Sequence, residues 1–282
     1  FADEANIDEC AAAVGLEPLE YRLRYIMPKD FRDGFSGNIN YFDSFRACLE
    51  KGRATMDYDR KRAEFAKDTG PIRRGIGVAP FWYNTGVYPI SLETEIGQGA
   101  DTAYAQMTAE AVGLKSYRDV HVVSCQDTDI TPTGLGAYAS RQTYMQGFAI
   151  AQTAALLRKR ILAYAAEMLD CAAEELDIRE GNIVRRDSGA VEMDLSHLAM
   201  AAQYNPVYSQ HITAEKTATI RSNAYSFGCT FAEVEVDIPM CRVTLKRILN
   251  VHDCGSLINP ALAEAQVHGG MSMGIGYGLS QQ

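Results

Sequence analysis

Thr94-Glu95-Ile96-Gly97-Gln98-Gly99, followed by a helix-like run over residues 100–113, is the stretch around which the chain is organised. Glycines on both sides of Gln98 let the backbone come close to another group and leave the amide side chain aimed at it. A helix starting just after such a loop offers backbone N–H groups to an anion, most often a phosphate. A second polar, glycine-spaced segment, residues 131–143 (TPTGLGAYASRQT), adds backbone donors and small polar side chains. Two loops of this kind predict one polar, phosphate-bearing ligand held between them.

The rest of the chain fits a soluble core of ordinary composition. At 282 residues, with 47% apolar and 22% charged, it can bury one large domain or two pieces. A net charge of −9 argues against a nucleic-acid partner, which needs a basic surface. No stretch reaches roughly 18 uninterrupted apolar residues, so no membrane span is predicted. Of the seven cysteines, none forms a CxxC pair, which disfavours a zinc or iron–sulfur site on this chain. The odd count and the lack of a signal peptide predict reduced thiols and a cytoplasmic protein. A start at Phe1 and a stop at Gln282 read as a fragment truncated at both ends.

Periodicity organises the segments between the motifs. Residues 3–14 have helical spacing, with Ala5, Ile7, Cys10, Ala11 and Val14 as the buried set and Gly15 as the stop. Glu17-Pro18 restarts a short helix carrying Leu19, Leu23 and Ile26. An amphipathic helix over residues 43–51 closes at Gly52, and the charge-dense residues 57–67 read as a solvated helix or linker. Residues 75–80 and 87–92 are predicted strand pieces with a turn between, and residues 119–125 a further strand. A long helix over 144–169, rich in small residues, is predicted to be central. Residues 176–184 and 191–195 read as strands, and 203–226 as irregular. Ala232, Val234, Val236 and Ile238 alternate with Glu233, Glu235 and Asp237. Cys241, Val243 and Leu245 alternate with Arg242, Thr244 and Lys246, so the break at Pro239 makes a hairpin with one wet face. Asn259-Pro260 starts a last helix that carries Gln266 and His268 into Gly269, Gly270, Gly274 and Gly276. Glycine that dense costs about 1 kcal/mol per residue relative to Ala, so a close approach by another backbone or a ligand is expected.

Several familiar sites are excluded. The leading loop has Gly97 and Gly99, but Thr102 stands at the third position of a dinucleotide fingerprint, and no Gly-Lys-Ser/Thr follows for a P-loop. No serine lies in a GxSxG elbow, and the five histidines show no HExxH spacing. His252-Asp253 reads as a strand-end hydrogen bond rather than a catalytic pair. Glu95 is either a general base or a cap for backbone N–H groups, with the cap favoured.

These residues carry a family resemblance. TEIGQGADTAYAQM (94–107), QDTDITPTGLGAYASRQTY (126–144), FGCTFAEVEVDI (227–238) and RILNVHDCGSLINPALAEAQVHGGMSMGIGYGL (247–279) resemble the molybdenum-binding subunit of bacterial xanthine dehydrogenases. These belong to the xanthine oxidase family of molybdenum hydroxylases. The opening ANIDECAAAVGLEPLEYRLRYIM (5–27) is similar to the helical piece after that family's FRGFG motif.

The resemblance implies an α+β fold, a molybdenum-cofactor-binding domain of mixed sheets packed with helices. Residues 1–70 would close the first cofactor-binding half, and residues 71–282 would form most of the second. It implies molybdenum held by the dithiolene of molybdopterin, often as the cytosine dinucleotide. Gln98, between Gly97 and Gly99, falls on a residue that hydrogen-bonds the pterin or its phosphate. Ala139-Ser140 falls on the step whose first backbone N–H, that of Ala139, lies near the molybdenum ligands. Gln142, Thr143 and Gln266 fall on further cofactor-contacting positions. Tyr88, with Trp82 near it, is the candidate for bordering the substrate funnel, against a core-packing role. The implied reaction is oxidative hydroxylation of a purine ring carbon with water, with xanthine or hypoxanthine going to urate. Another N-heterocycle, an aldehyde, or a non-catalytic cofactor-carrying scaffold are the alternatives. FAD and 2Fe–2S clusters would sit on partner subunits of a hetero-oligomer. The family's catalytic glutamate and substrate arginine fall on segments outside this sequence, so this stretch alone is expected to be inactive. Ser91-Leu92-Glu93 also runs straight into TEIGQG, where the family usually inserts a strand pair of about twenty residues.

Overall fold

A computed structural model describes residues 2–28, 30–32, 34, 37, 39–40, 42–85, 95–125, 127, 129, 136–138, 140–217, 220 and 224–281. In chain order the elements are α1 (Ala2–Ala13), α2 (Pro18–Tyr25), β1 (Phe31–Arg32), β2 (Ile39–Asn40), α3 (Asp43–Met56), α4 (Tyr58–Phe65) and β3 (Ile72–Thr85). Then follow α5 (Ala100–Val112), a π-helical turn (Gln142–Gln146), α6 (Gly147–Leu169), β4 (Leu176–Arg179), β5 (Asn182–Arg185) and β6 (Val191–Asp194). The described residues end with α7 (Leu195–Tyr204), β7 (Ala224–Asp237), β8 (Arg242–Asp253) and α8 (Pro260–Leu279). Contacts divide the chain into two compact units, Phe1–Thr85 with Ser222–Gln282, and Gly86–Arg221. The class is α+β. Every described strand pairing is antiparallel rather than mixed, because tight turns or a long return join neighbours edge to edge.

The first unit is built on the sheet β3-β7-β8. Ile76 and Val78 of β3, Cys229 and Phe231 of β7, and Leu249 and Val251 of β8 share one face, which packs with Leu49 and Met56 of α3 and Phe65 of α4. Gly52 does not end α3. It lies inside the helix because the buried Phe231 ring needs the space: a Cβ there would sit 2.1 Å from Phe231 Cε2. The break comes five residues later, where Asp57 (φ 53) turns α3 into α4. Residues 57–67 are therefore a helix docked through buried Tyr58 and Phe65, with its charges paired as Arg60–Glu64 and Lys61–Glu233.

The opening helix is held differently from expectation. Of the predicted apolar set only Ala11 is buried, and Val14 is 60% exposed. What anchors α1 is Arg22 of α2, 6% exposed, whose guanidinium meets Glu4 at 2.7 Å and Asp8 at 2.6 Å. A carboxylate pair one turn apart around a buried cation replaces an apolar stripe. Glu17 caps α2 as its sequence suggests, accepting from Leu19 N and Glu20 N, and takes a further bond from the Tyr58 hydroxyl at 2.6 Å.

The predicted hairpin is β7–β8. Glu233 stands opposite Arg247, Asp237 opposite Arg242, and Lys246 reaches Glu235 at 3.9 Å. The dry face is not the predicted one, however. Phe227, Cys229 and Phe231, in phase with Glu233, carry the core, while Ala232, Val234 and Val236 are half-buried on the other face. A bulge at Glu233/Val234 explains the mismatch on β8: Leu249 and Val251 share the core face, whereas Leu245 and Val243 pair with Val234 and Val236. At the strand end, Asp253 accepts from the Ser44 hydroxyl and from Gly255 N, while the His252 ring lies against Phe81 at 5.1 Å. That is the strand-end role expected of the pair.

The second unit packs α5, α6, α7 and the sheet β4-β5-β6. Residues 176–184 form two strands rather than one, because Glu180 (φ 48) and Gly181 (φ 75) make a tight hairpin turn between β4 and β5. Residues 120–125 join no described strand; Ser124 Oγ instead donates to Asp101 Oδ1 at 2.6 Å. Part of the stretch read as irregular belongs to α7 and β7. Arg158 of α6 joins three elements, donating to Val112 O (2.7 Å) at the end of α5, to Ile178 O (3.1 Å) and to Asp177. Gly113 (φ 93) closes α5 where a Cβ would meet Ile178 O at 2.5 Å. The small-residue start of α6 allows the close packing expected of it, with a Cβ at Gly147 only 2.9 Å from Met107 Sδ.

Two substitutions test this packing. Gly52→Ala is expected to lower stability by about 1–3 kcal/mol through overpacking against Phe231, despite about 1 kcal/mol of improved helix propensity. An unchanged urea midpoint would show that the ring has room. The Tyr164 hydroxyl is buried with no partner among the described residues. Tyr164→Phe is therefore expected to leave the thermal midpoint unchanged or raise it, and a fall of several degrees would reveal a bond to that oxygen.

Candidate functional site

The leading loop is shaped by one carboxylate. Glu95 Oε1 accepts from Gly97 N (2.7 Å) and Gly99 N (3.1 Å), and Oε2 accepts from Asp101 N (2.9 Å) in the first turn of α5. Gly97 (φ 98) and Gly99 (φ 84) lie in the left-handed region, which is why glycine stands at both. Burial pushes the Glu95 carboxyl up, but bonds from the backbone of Asp101, Gly99, Gly97 and Ala100 together outweigh it and hold the group below its usual range. The anion that the sequence places at the start of α5 is thus the protein's own side chain. Glu95 is the cap, as favoured, and those N–H groups are engaged.

What the loop presents instead is Gln98. Its Oε1 accepts from Ile96 N at 2.7 Å, and its Nε2 donates to Gln142 Oε1. Gln142 opens the π-helical turn that leads into α6, a distortion that often marks functional positions. Ser140 precedes it at φ 48, a left-handed backbone that costs a non-glycine residue energy and recurs at functional loops. Between them Arg141 is 1% exposed, donating to the Tyr138 hydroxyl at 3.2 Å with its guanidinium 5.2 Å from the ring centroid. Sequence reading passed over Arg141. The signal was a lone charge in a segment of small residues, three places after an aromatic.

Two loops read separately in the sequence therefore meet through the Gln98–Gln142 side-chain contact. Thr143 lies exposed in the same π-helical turn. Ala139 and Tyr88 fall outside the described residues. Trp82 packs as an aromatic, its ring 5.9 Å from Phe42 and 5.1 Å from Tyr225, although 47% exposed. Gln266 lies exposed on α8, in the other compact unit. Asn259 caps α8 as predicted, its Oδ1 accepting from Leu262 N at 3.1 Å. Of the glycines expected to admit a close neighbour, only Gly276 has one among the described residues, the Gln281 side chain with Nε2 3.2 Å from where a Cβ would sit, whereas a Cβ at Gly269, Gly270 or Gly274 would meet nothing within 4 Å. Among the described residues no cluster of three or more His, Cys, Asp or Glu could hold a metal ion. No described helix is long and apolar enough to cross a membrane.

A molybdopterin cofactor-binding domain family matches residues 90–282, which includes both loops and α8. The chain belongs to that family. Within it, the xanthine dehydrogenase molybdenum-binding subunit of Escherichia coli O157:H7 is 42% identical over 303 residues, aligning with 100% of this chain and 40% of that protein. The carbon monoxide dehydrogenase large chain of Hydrogenophaga pseudoflava is 26% identical over 315 residues, aligning with 99% of this chain and 39% of that protein. The crystal structure of quinoline 2-oxidoreductase from Pseudomonas putida 86 superposes with a TM-score of 0.80 at 26% identity, covering 98% of this chain and 39% of that one. The chain spans about 40% of the length of the curated relatives it matches. In this domain the first loop is closed by its own carboxylate, and the side chains that meet between the two loops are those of Gln98 and Gln142.

The depressed Glu95 carboxyl gives a pH test. Its stabilisation is present above the unfolded value, about 4.3 for glutamate, and is lost as pH falls through the lower folded value. The gap in thermal midpoint between the native chain and Glu95→Gln is expected to hold at neutral pH and to close as acid is added below that range. A gap independent of pH would show that the charge on Glu95 does not matter.

Proposed function

We propose that this chain is the molybdopterin-binding portion of a xanthine dehydrogenase-like hydroxylase that acts on purines. The observation that carries the substrate class is the identity: 42% across the whole chain to a xanthine dehydrogenase subunit, against 26% to a carbon monoxide dehydrogenase chain. The site supports the cofactor. Gln98 and Gln142 bring two amides together, and Ser140 and Thr143 add hydroxyls beside them, groups that suit the hydrogen-bonding edge of a pterin and its phosphate. The backbone N–H of Ala139 would lie near the molybdenum ligands, and Gln266 of α8 would supply a further contact. When bound, the cofactor supplies the two-electron chemistry of oxidative hydroxylation, with water as the oxygen source.

The residues of this chain hold and orient rather than transfer protons. Gln98 and Gln142 fix the ligand by side-chain amides whose own orientation is set by the Ile96 N–H and by each other. Residues 1–70 would close one cofactor-binding half and residues 71–282 most of the second. Electrons would leave through 2Fe–2S and FAD subunits of a cytoplasmic hetero-oligomer. Tyr88 would border the substrate channel.

The test is a substrate panel on the purified holoenzyme with an artificial electron acceptor. Xanthine or hypoxanthine is expected to turn over at least about tenfold faster than quinoline or carbon monoxide, a difference of about 1.4 kcal/mol in transition-state binding. Turnover of quinoline or carbon monoxide ahead of both purines would reassign the substrate. Protein with neither molybdenum nor turnover would leave a scaffold.

A further inference from the structure

We propose that Glu95 is the positioning residue of the cofactor loop, holding the Gln98 amide in the orientation that meets the ligand; this rests on the cofactor reading above. A plain helix cap would need less. A side chain at the residue just before α5 could satisfy the first turn by itself. That residue is Gly99, which has no side chain, and the carboxylate arrives from four positions earlier. One oxygen of Glu95 accepts from both Gly97 N and Gly99 N, the amides on either side of Gln98. The second oxygen accepts from Asp101 N and ties the loop to the helix. The peptide bearing Gln98 is therefore clamped from both flanks by one carboxylate.

The side chain is fixed in turn. With the backbone held, Gln98 Oε1 reaches Ile96 N at 2.7 Å and Nε2 reaches Gln142. Those two bonds decide which end of the amide faces which neighbour, so the donor and acceptor pattern offered by the Gln98–Gln142 pair depends on Glu95. Glycine at 97 and 99 makes the loop reversible: with φ of 98 and 84, and with nothing among the described residues within 4 Å of a Cβ at Gly97, no described side chain packs against the turn at that position. The carboxylate holds it.

The experiment measures pterin release from the holoenzyme on dilution, by fluorescence of the oxidised, freed pterin, for the native protein, Glu95→Ala, Gln98→Ala and the double variant. Loss of a group that orients a ligand-holding side chain typically costs 10–100-fold. Glu95→Ala is expected to release pterin at least about tenfold faster, and the double variant no faster than Gln98→Ala alone, because Glu95 acts through Gln98. Native release from Glu95→Ala, or single effects that multiply in the double variant, would overturn the positioning role while leaving the cofactor assignment intact. Native protein that carries no pterin would overturn both. Should Glu95→Ala be recovered unfolded, Glu95→Gln, which keeps the volume and one acceptor, enters the same cycle with the same expected outcomes.

Discussion

A single carboxylate bonded to three backbone N–H groups within the next six residues governs this site. Glu95 takes the N–H groups that the start of α5 would otherwise turn outward, and in doing so it fixes a glycine-flanked turn. Two consequences follow from elementary electrostatics. The partial positive charge at the helix start is neutralised from within, so a ligand gains little there from the helix dipole. In the proposed binding mode recognition passes instead to neutral amides, which discriminate by direction rather than by charge.

The two compact units are stabilised by different means. In the first, a large aromatic enters the groove left by a glycine: Phe231 against Gly52 fixes how α3 lies on the sheet. Around that contact, buried charge is matched locally, as where Arg22 draws Glu4 and Asp8 together. In the second unit a guanidinium does the work of a linker. Arg158 satisfies the last carbonyl of α5 and the edge of β4 at once, so three elements share one cation.

Much of this was legible in the sequence, and the failures have physical causes. Caps and starters written in single residues were read correctly: Glu17-Pro18, Asn259-Pro260 and the cap formed by Glu95. The hairpin and the two loops were legible too, because period-2 alternation and glycine spacing are local signals. Gly52 misled because glycine is both a helix stop and a packing notch, and only the tertiary partner distinguishes them. The split of residues 176–184 at Glu180-Gly181 was hidden by a non-glycine residue taking a left-handed backbone. For α1 the apolar pattern was real but weak, and an ion-pair cluster from α2 decided the packing. The direct contact of Gln98 with Gln142 spans 44 residues, and no local rule carries information over that distance.

The bulge between Glu233 and Val234 has a bearing on how this hairpin can change over evolution. It offsets the two strands by one residue, so that Val243 and Leu245 fall on one side of the sheet while Leu249 and Val251 fall on the other. An insertion or deletion of one residue in the tip would have to be absorbed there, or every side chain between the tip and the bulge would change sides. Length drift in this ribbon is therefore quantised: it proceeds by pairs of residues, or by creating and erasing the offset itself.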